Sequence, residues 1–370
     1  MRALAATILL LVLTASPARA DWPETVTDLA GREVTVPAEP ERILLGEGFL
    51  LLSLGFVTPD PLASLAGWGG DLKSFDPATY ALFAEAFPAL EELPTVGLGS
   101  FETFSVEQAL GLRPDLVVFS LWQAAGDPEE LAAPFEAAGI PVLFVDFYQD
   151  PLDNTIRSLE LLGRALGQEE RVAAFAAFHE EHLARITDRL SGEQGEGPSV
   201  LLHAFPALWP CCWSAGGGGI GEAIGLLGGR NIGADRFPSA NGGQLNLEYV
   251  ITQDPEVYIA TGVAGAAADG LQLGSGVGPE EARASLEAVV EAPGLATLKA
   301  TREGRVHGLW NFFNGSPLNI LAVEAMATWI RPDLFGDIDP GATLAEINER
   351  FSAVPFEGTY WISLTPPETQ

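Results

Sequence analysis

The sequence predicts an α/β protein built as two lobes, each around a central sheet, joined by a single long bridging helix. Three patterns in its 370 residues point there. Short apolar runs of strand length alternate with helical segments through residues 42–145. A long helical periodicity then fills 152–190, and a second alternating series begins near Val200. Strands separated by helices of about ten residues argue for βαβ units and a parallel sheet. Each series therefore has a Rossmann-like make-up.

In the first series, residues 42–45 read as a buried strand. A glycine-bracketed turn, Gly46-Glu47-Gly48, and an apolar segment at 49–54 follow it. Further apolar runs end at Val96 and fill 116–119 and 142–145, with helical segments around 79–87, 106–112 and 128–138. In mid-chain, Leu152, Ile156, Leu159, Leu162, Leu166, Val172, Phe175, Phe178, Leu183, Ile186 and Leu190 recur at three- and four-residue steps. Gly163 and Gly167 interrupt that stripe without a proline, so it reads as one long helix, or two nearly continuous ones, suited to bridging two lobes. Beyond the polar, glycine-rich break at 191–198, strands are expected at 200–202, 257–260 and 305–309. Helices are expected at 221–227, 247–252, 279–290, 320–329 and 344–351, before the aromatic tail Tyr360-Trp361.

The first twenty residues have another grammar. Arg2 precedes an apolar run over 3–13, and Ala18-Arg19-Ala20 is a small-residue cleavage pattern, as in a secretory signal peptide. The run is too short to span a bilayer. Residues 1–20 are thus expected to leave, with lobes at 21–150 and 191–370 and the bridge at 151–190. A lipid anchor would need a cysteine at the new N-terminus, and the first cysteine is Cys211. An exported, soluble, monomeric chain that is not lipid-anchored is the expectation.

Charge narrows the partners. Fifty Asp and Glu oppose nineteen Lys and Arg, two of which, Arg2 and Arg19, lie in the leader. Such a field repels nucleic acid and anionic membrane surfaces. It also disfavours a strongly anionic ligand unless basic residues gather in the site. The two cysteines are adjacent, Cys211 and Cys212. They form either a vicinal disulfide or two free buried thiols, and the sequence leaves both open. A zinc site is not expected, because nothing near them in sequence supplies the other ligands.

Several motifs carry a family likeness. Val26-Thr-Asp-Leu-Ala-Gly-Arg-Glu-Val-Thr-Val-Pro37 leads into Glu41-Arg42-Ile43, and Ser105-Val-Glu-Gln-Ala-Leu-Gly-Leu-Arg-Pro-Asp-Leu-Val-Val118 joins a helix to a strand. The 151–167 segment opens the mid-chain helix, and 246–259 repeats the helix-to-strand signature. In this order and spacing, the motifs resemble the periplasmic binding proteins for ferric siderophores, haem and cobalamin, over nearly all of the mature chain. The resemblance implies a periplasmic protein whose lobes are held by one rigid helix and move through a limited hinge. It implies ligand capture between the lobes, no permanently bound cofactor, and delivery to an inner-membrane ABC importer's permease with its ATPase. That family docks each lobe through a surface glutamate meeting an arginine on the permease; by motif position these are Glu107 and Glu248. Without the resemblance, a glutamate in a first helical turn merely favours the helix dipole.

In parallel α/β lobes, ligands gather at the carboxyl ends of strands. The corresponding loops supply Glu47, Phe49, Trp68, Phe101, Trp122 and Tyr148 from the first lobe. The second supplies Trp209, Cys211, Cys212, Trp213, Trp310 and Phe312. Tryptophan offers a rigid apolar face and one N–H donor, suited to a bulky organic chelate. The competing role for each is a plug in a lobe core. Tyr148 is a hydrogen-bond donor or a direct iron ligand; otherwise the protein is expected to hold no metal directly. Few arginines fall in these loops, so a neutral or weakly charged ferric siderophore is the expected ligand. A corrinoid or haem is the alternative, and an exported enzyme using the same cleft is the reading of another class.

The remaining motifs are weaker. His179-Glu-Glu-His182 is neither His-Glu-x-x-His nor His-x-x-Glu-His, and reads as a solvated helix face. With four histidines in all, the chain has no histidine-rich loop of the kind bare-zinc capture uses. Gly216–Gly221 satisfies Gly-x-Gly-x-x-Gly, but 204–215 intervenes between it and the nearest strand. It reads as a flexible loop beside Trp213. No Gly-x-Ser-x-Gly elbow supports a hydrolase, and the chain is read as a binding protein, not an enzyme.

Overall fold

The computed structural model describes residues 22–100, 103–124, 126–192, 197–265 and 269–364. The leader expected at 1–20, and Phe101, lie outside them. A hairpin of β1 (Glu24–Thr27) and β2 (Glu33–Val36) opens the chain. It leads to β3 (Ile43–Leu45), α1 (Leu50–Val57), β4 (Leu65–Gly67), α2 (Asp71–Phe75) and α3 (Pro77–Ala86). Next come α4 (Val106–Gly111), β5 (Leu116–Ser120), α5 (Pro128–Glu136) and β6 (Val142–Val145). The first sheet has strand order β4-β3-β5-β6, and every pair in it is parallel. All residues of β3, β5 and β6 are buried. Helices therefore cover both sheet faces, which is why these strands read as unbroken apolar runs.

The 152–190 stripe is two helices, α6 (Pro151–Ala165) and α7 (Glu169–Leu190). The expected single bridging helix is broken at 166–168, and the cause is a glycine stop. Gly167 adopts φ +64°, Gln168 N–H donates to the Gly163 carbonyl at 2.7 Å, and Gly167 N–H reaches the Arg164 carbonyl at 3.4 Å. This is a Schellman ending, which turns the chain without proline. A Cβ on Gly163 would sit 2.9 Å from Val172 Cγ2, so that glycine lets α7 fold back against α6. Thr155 near the start of α6 and His179 in α7 both bond Asn319. The two helices are thus an antiparallel pair.

It is α7 that touches both halves of the chain. Near its start, Arg171 Nε donates to the Phe56 carbonyl at 3.0 Å; at its end, Arg189 Nη2 reaches Asp337 Oδ2 at 2.9 Å. His179 and His182 do not form a solvated face: both are buried. His179 Nε2 meets Asn319 Oδ1 at 3.1 Å, and His182 Nδ1 meets Glu324 Oε1 at 2.7 Å. Burial holds the His179 imidazole below its ordinary pKa. The pair fastens α7 to a helix of the second half, a packing role that helical spacing alone does not separate from exposure.

The second half contains β7 (Ser199–Ala204), β8 (Trp213–Ala215), α8 (Glu222–Leu226), β9 (Arg230–Asn231), β10 (Gly242–Gln244), α9 (Leu247–Gln253) and β11 (Val257–Gly262). It continues with β12 (Gly274–Ser275), α10 (Pro279–Val290), α11 (Lys299–Arg302), β13 (Val306–Trp310) and α12 (Asn319–Ile330). After α13 (Pro332–Phe335) and α14 (Pro340–Arg350), β14 (Gly358–Thr359) and β15 (Trp361–Ser363) close it. The sheet runs β10-β8-β7-β11-β13-β15, with β9 also on β7. Its centre, β7-β11-β13, is parallel; β8, β10 and β15 are antiparallel. The result is a two-lobed α/β fold.

The lobes are not independent cores. One continuous apolar cluster contains Leu45 and Val118 of the first sheet, α1, Phe175 of α7, and Ile259 and Leu309 of the second sheet. The segment after α14 returns to the first half, where Phe356 meets Phe83 edge-on and Arg171 holds the Phe351 carbonyl. Because α7 and this segment both cross between the lobes, separation by a wide hinge would strip buried apolar surface from water-free contact.

Candidate functional site

The carboxyl ends of the parallel strands in the two sheets face each other. Phe49, just after β3, stacks on Phe312, just after β13, with ring centroids 4.0 Å apart. Gly315 N–H donates to the Phe147 carbonyl and Gly219 N–H to the Gln149 carbonyl, both at 2.9 Å. Two recesses open on either side of this seam and share Tyr148, Asn311 and Asn314. The one toward the first sheet holds Glu47, Phe49, Asp71, Trp122 and Phe312. The other holds Phe205, Trp209, Trp213 and Asn241. Among the described residues lining the two recesses there is no Lys, Arg or His.

The floor of the first recess is built from the Gly46-Glu47-Gly48 turn. Gly46 must lack a side chain: a Cβ there would lie 2.2 Å from Phe119 Cδ1. Gly46→Ala is expected to cost about 1–3 kcal/mol by overpacking, read as a lower midpoint in thermal or denaturant unfolding. The turn aims Glu47 inward, where Oε2 accepts from Trp122 Nε1 at 2.8 Å and Oε1 accepts from the Ser120 hydroxyl. Asp71 Oδ1 accepts the Gly48 N–H at 2.6 Å. Both carboxyls are buried. Burial, reinforced by the Asp71 charge and opposed by the Ser120 and Trp122 hydrogen bonds, raises Glu47 to about 8. Burial also raises Asp71. At neutral pH, Glu47 is therefore mainly protonated, and this floor carries less charge than its two carboxyls suggest.

Tyr148 projects from a loop pinned by Asp146, whose Oδ1 accepts the Tyr148 and Gln149 N–H groups at 3.0 and 2.7 Å. Burial raises the phenol above its ordinary pKa, with Asn241 opposing and Glu47 assisting. The hydroxyl stays protonated and serves as a donor, which favours that role over a phenolate ligand.

The expected residues divide as follows. The cleft brings together Glu47, Phe49, Trp122, Tyr148, Trp209, Trp213 and Phe312. Trp209 stands at its rim, 42 % exposed. Trp68 is a correction: it is 1 % exposed and stacks on Tyr80 at 6.0 Å, a core plug. Trp310 borders the second recess but is fully buried, and its Nε1 donates to Asp76 Oδ2 at 2.9 Å, so it offers no donor to a ligand. Cys211 lines a separate cavity behind Trp209, and Cys212 is buried; the two are joined by a disulfide. Glu107 and Glu248 are exposed in the first turns of α4 and α9.

Sequence reasoning missed Asp71, Asp76 and the amides Asn241 and Asn314, and did not single out Asn311. Asp76 joins the halves: it caps α3 through Thr79, whose hydroxyl meets Ser275 Oγ at 2.9 Å, and Ser275 meets Tyr360 at 2.8 Å. An Asp-Pro helix start carries no hint of a partner 234 residues away. Asn311 was nearer to legible, since it directly follows a strand whose end was assigned to the cleft.

Two sheets with facing strand ends and an aromatic seam between them define a two-lobed solute-binding protein. The chain belongs to the periplasmic binding protein family, whose model it matches over residues 56–310. Two Halobacterium salinarum proteins, each named cobalamin-binding protein, are 28 % identical over 245 residues, 66 % of this chain and 59 % of theirs. Among solved structures, the TroA-like periplasmic binding protein FepB from Veillonella parvula has a TM-score of 0.82 at 26 % identity, covering 93 % of this chain and all of that one. A periplasmic heme binding protein from Pseudomonas aeruginosa has a TM-score of 0.55 at 22 % identity, covering 80 % of this chain and 94 % of that chain. This last likeness concerns the fold alone.

Proposed function

We propose that this protein captures a bulky metal chelate carrying little net negative charge, a corrinoid in the first place, and hands it to the permease of an ABC importer from the periplasmic side. One observation carries the ligand class: a cleft of aromatic faces and amides with no cationic side chain among its described lining residues. A haem's propionates or an oxyanion would lose hydration there without a charged partner. Corrinoid periphery is rich in amides, which Asn241, Asn311, Asn314 and the Tyr148 hydroxyl match as donors and acceptors. The named cobalamin-binding relatives support the same choice. The ferric siderophore expected from the loops shares the bulk and weak charge, and is the second reading on that ground.

Such a ligand enters only if the Phe49–Phe312 stack parts. Titrating intrinsic tryptophan fluorescence with cyanocobalamin, a neutral ferric hydroxamate, a ferric catecholate and haem separates the readings. Saturable quenching by cyanocobalamin, weakened about 10–100-fold in Phe312→Ala and Trp213→Ala, is expected. A response to the ferric hydroxamate alone would restore the siderophore, and turnover of any of these would favour an enzyme.

A further inference from the structure

Behind the cleft, the loop between β7 and β8 encloses a second cavity lined by His203, Trp209, Cys211 and Asp269. His203 is 1 % exposed, and its Nδ1 is engaged by the Tyr258 hydroxyl at 2.9 Å. Its Nε2 is buried without a hydrogen-bond partner. A ring nitrogen of the same imidazole and the sulfurs of Cys211 and Cys212 lie within 4.8 Å of one another. A buried imidazole nitrogen left unpaired is costly, and it needs a reason. Three donors of this kind, two soft sulfurs and one imidazole, have the make-up of a metal site held shut by a bond between two of its ligands.

We propose that reduction of the Cys211–Cys212 disulfide opens a three-coordinate site for one soft, thiophilic monovalent cation, Cu(I), with His203 Nε2 as the third ligand. The opening step is a two-electron exchange with a dithiol: the S–S bond breaks, each sulfur gains a proton, and the dithiol leaves as its own disulfide. On binding, each ligating sulfur releases its proton to solvent while copper remains Cu(I). Metal–ligand bonds of roughly 2.0–2.3 Å place three trigonal donors somewhat under 4 Å apart, so the two sulfurs, bonded in the closed site, must move apart on reduction while the imidazole already lies within 4.8 Å of them. Sulfur and imidazole ligands suit Cu(I), whereas structural zinc takes four ligands. The Tyr258 hydroxyl sits where an outer partner of a ligating histidine belongs: with Nδ1–H donating to it, the Nε2 lone pair is left free for a metal. The Gly216–Gly221 segment and the cleft take no part, so this site stands whatever ligand the cleft accepts.

The test uses the full chain, reduced anaerobically with a phosphine, desalted, and titrated with Cu(I) against a chromogenic chelator. Reduced wild type is expected to take one Cu(I) per chain and oxidised wild type none. Cys211→Ser should bind at least about a hundredfold more weakly, and His203→Gln at least about tenfold, with both variants keeping the native far-UV spectrum. Cys211 is exposed, so its serine variant stays informative if the buried His203 variant unfolds. Equal affinity in folded His203→Gln would overturn the three-ligand site. So would copper uptake by the oxidised chain, no uptake by the reduced native chain, reduction only with unfolding, or zinc bound as tightly as Cu(I).

Discussion

Charge reversal at both Glu107 and Glu248 is expected to abolish ligand uptake while leaving ligand affinity unchanged. The two residues occupy equivalent positions. Glu107 stands in the first turn of α4, capped by Ser105, ahead of β5; Glu248 stands in the first turn of α9, capped by Asn246, ahead of β11. Both carboxylates are exposed and take no part in the cleft. If each meets an arginine on the permease, reversal replaces an attractive pair by a like-charge contact costing several kcal/mol. Two such contacts would lower productive docking by about a thousandfold or more. The measurement is uptake of labelled ligand into cells or vesicles carrying the cognate importer, beside a direct binding titration. A single reversal should give partial loss. Normal uptake by the double variant would remove the docking role; loss of uptake with loss of affinity would point to misfolding instead.

What the sequence made legible was periodic. The apolar runs that became β3, β5, β6, β7, β11 and β13 are buried on both faces and cannot be mistaken for solvated strands, so the facing sheet ends followed from topology. Long-range pairing was not legible. Gly167 is a stop because the chain behind it has α6 to pack on, and the same glycine in a straight helix would only weaken it. Trp68 and Trp310 were assigned to the cleft because they end strands or follow them, yet the first fills a core and the second spends its N–H on Asp76. His203 escaped notice as a neighbour of the cysteines because it lies eight positions before Cys211, and a strand and a loop bring them together.

The pH dependence of stability tests the cleft floor, and Glu47→Gln is expected to change its shape. Burial lifts Glu47 from 4.5 to about 8, and the neighbouring Asp71 is lifted in the same direction. Between those two pH values the native state holds a proton that the unfolded chain has released. Unfolding free energy therefore falls as pH rises through that window and levels off above about pH 8. Full ionisation of Glu47 alone corresponds to a loss on the order of 3–5 kcal/mol. Glutamine keeps an oxygen to accept from Trp122 and an N–H that the Ser120 hydroxyl can accept, but it never ionises. Wild type and Glu47→Gln should be nearly equal in urea unfolding at pH 5, with the variant becoming the more stable by several kcal/mol at pH 9. Asp71→Asn should add to that flattening, since an amide oxygen can still accept the Gly48 N–H. Parallel stability curves for wild type and Glu47→Gln from pH 5 to pH 9 would mean that the carboxyl is ionised in the folded protein. A ligand for that cleft would then have to supply positive charge.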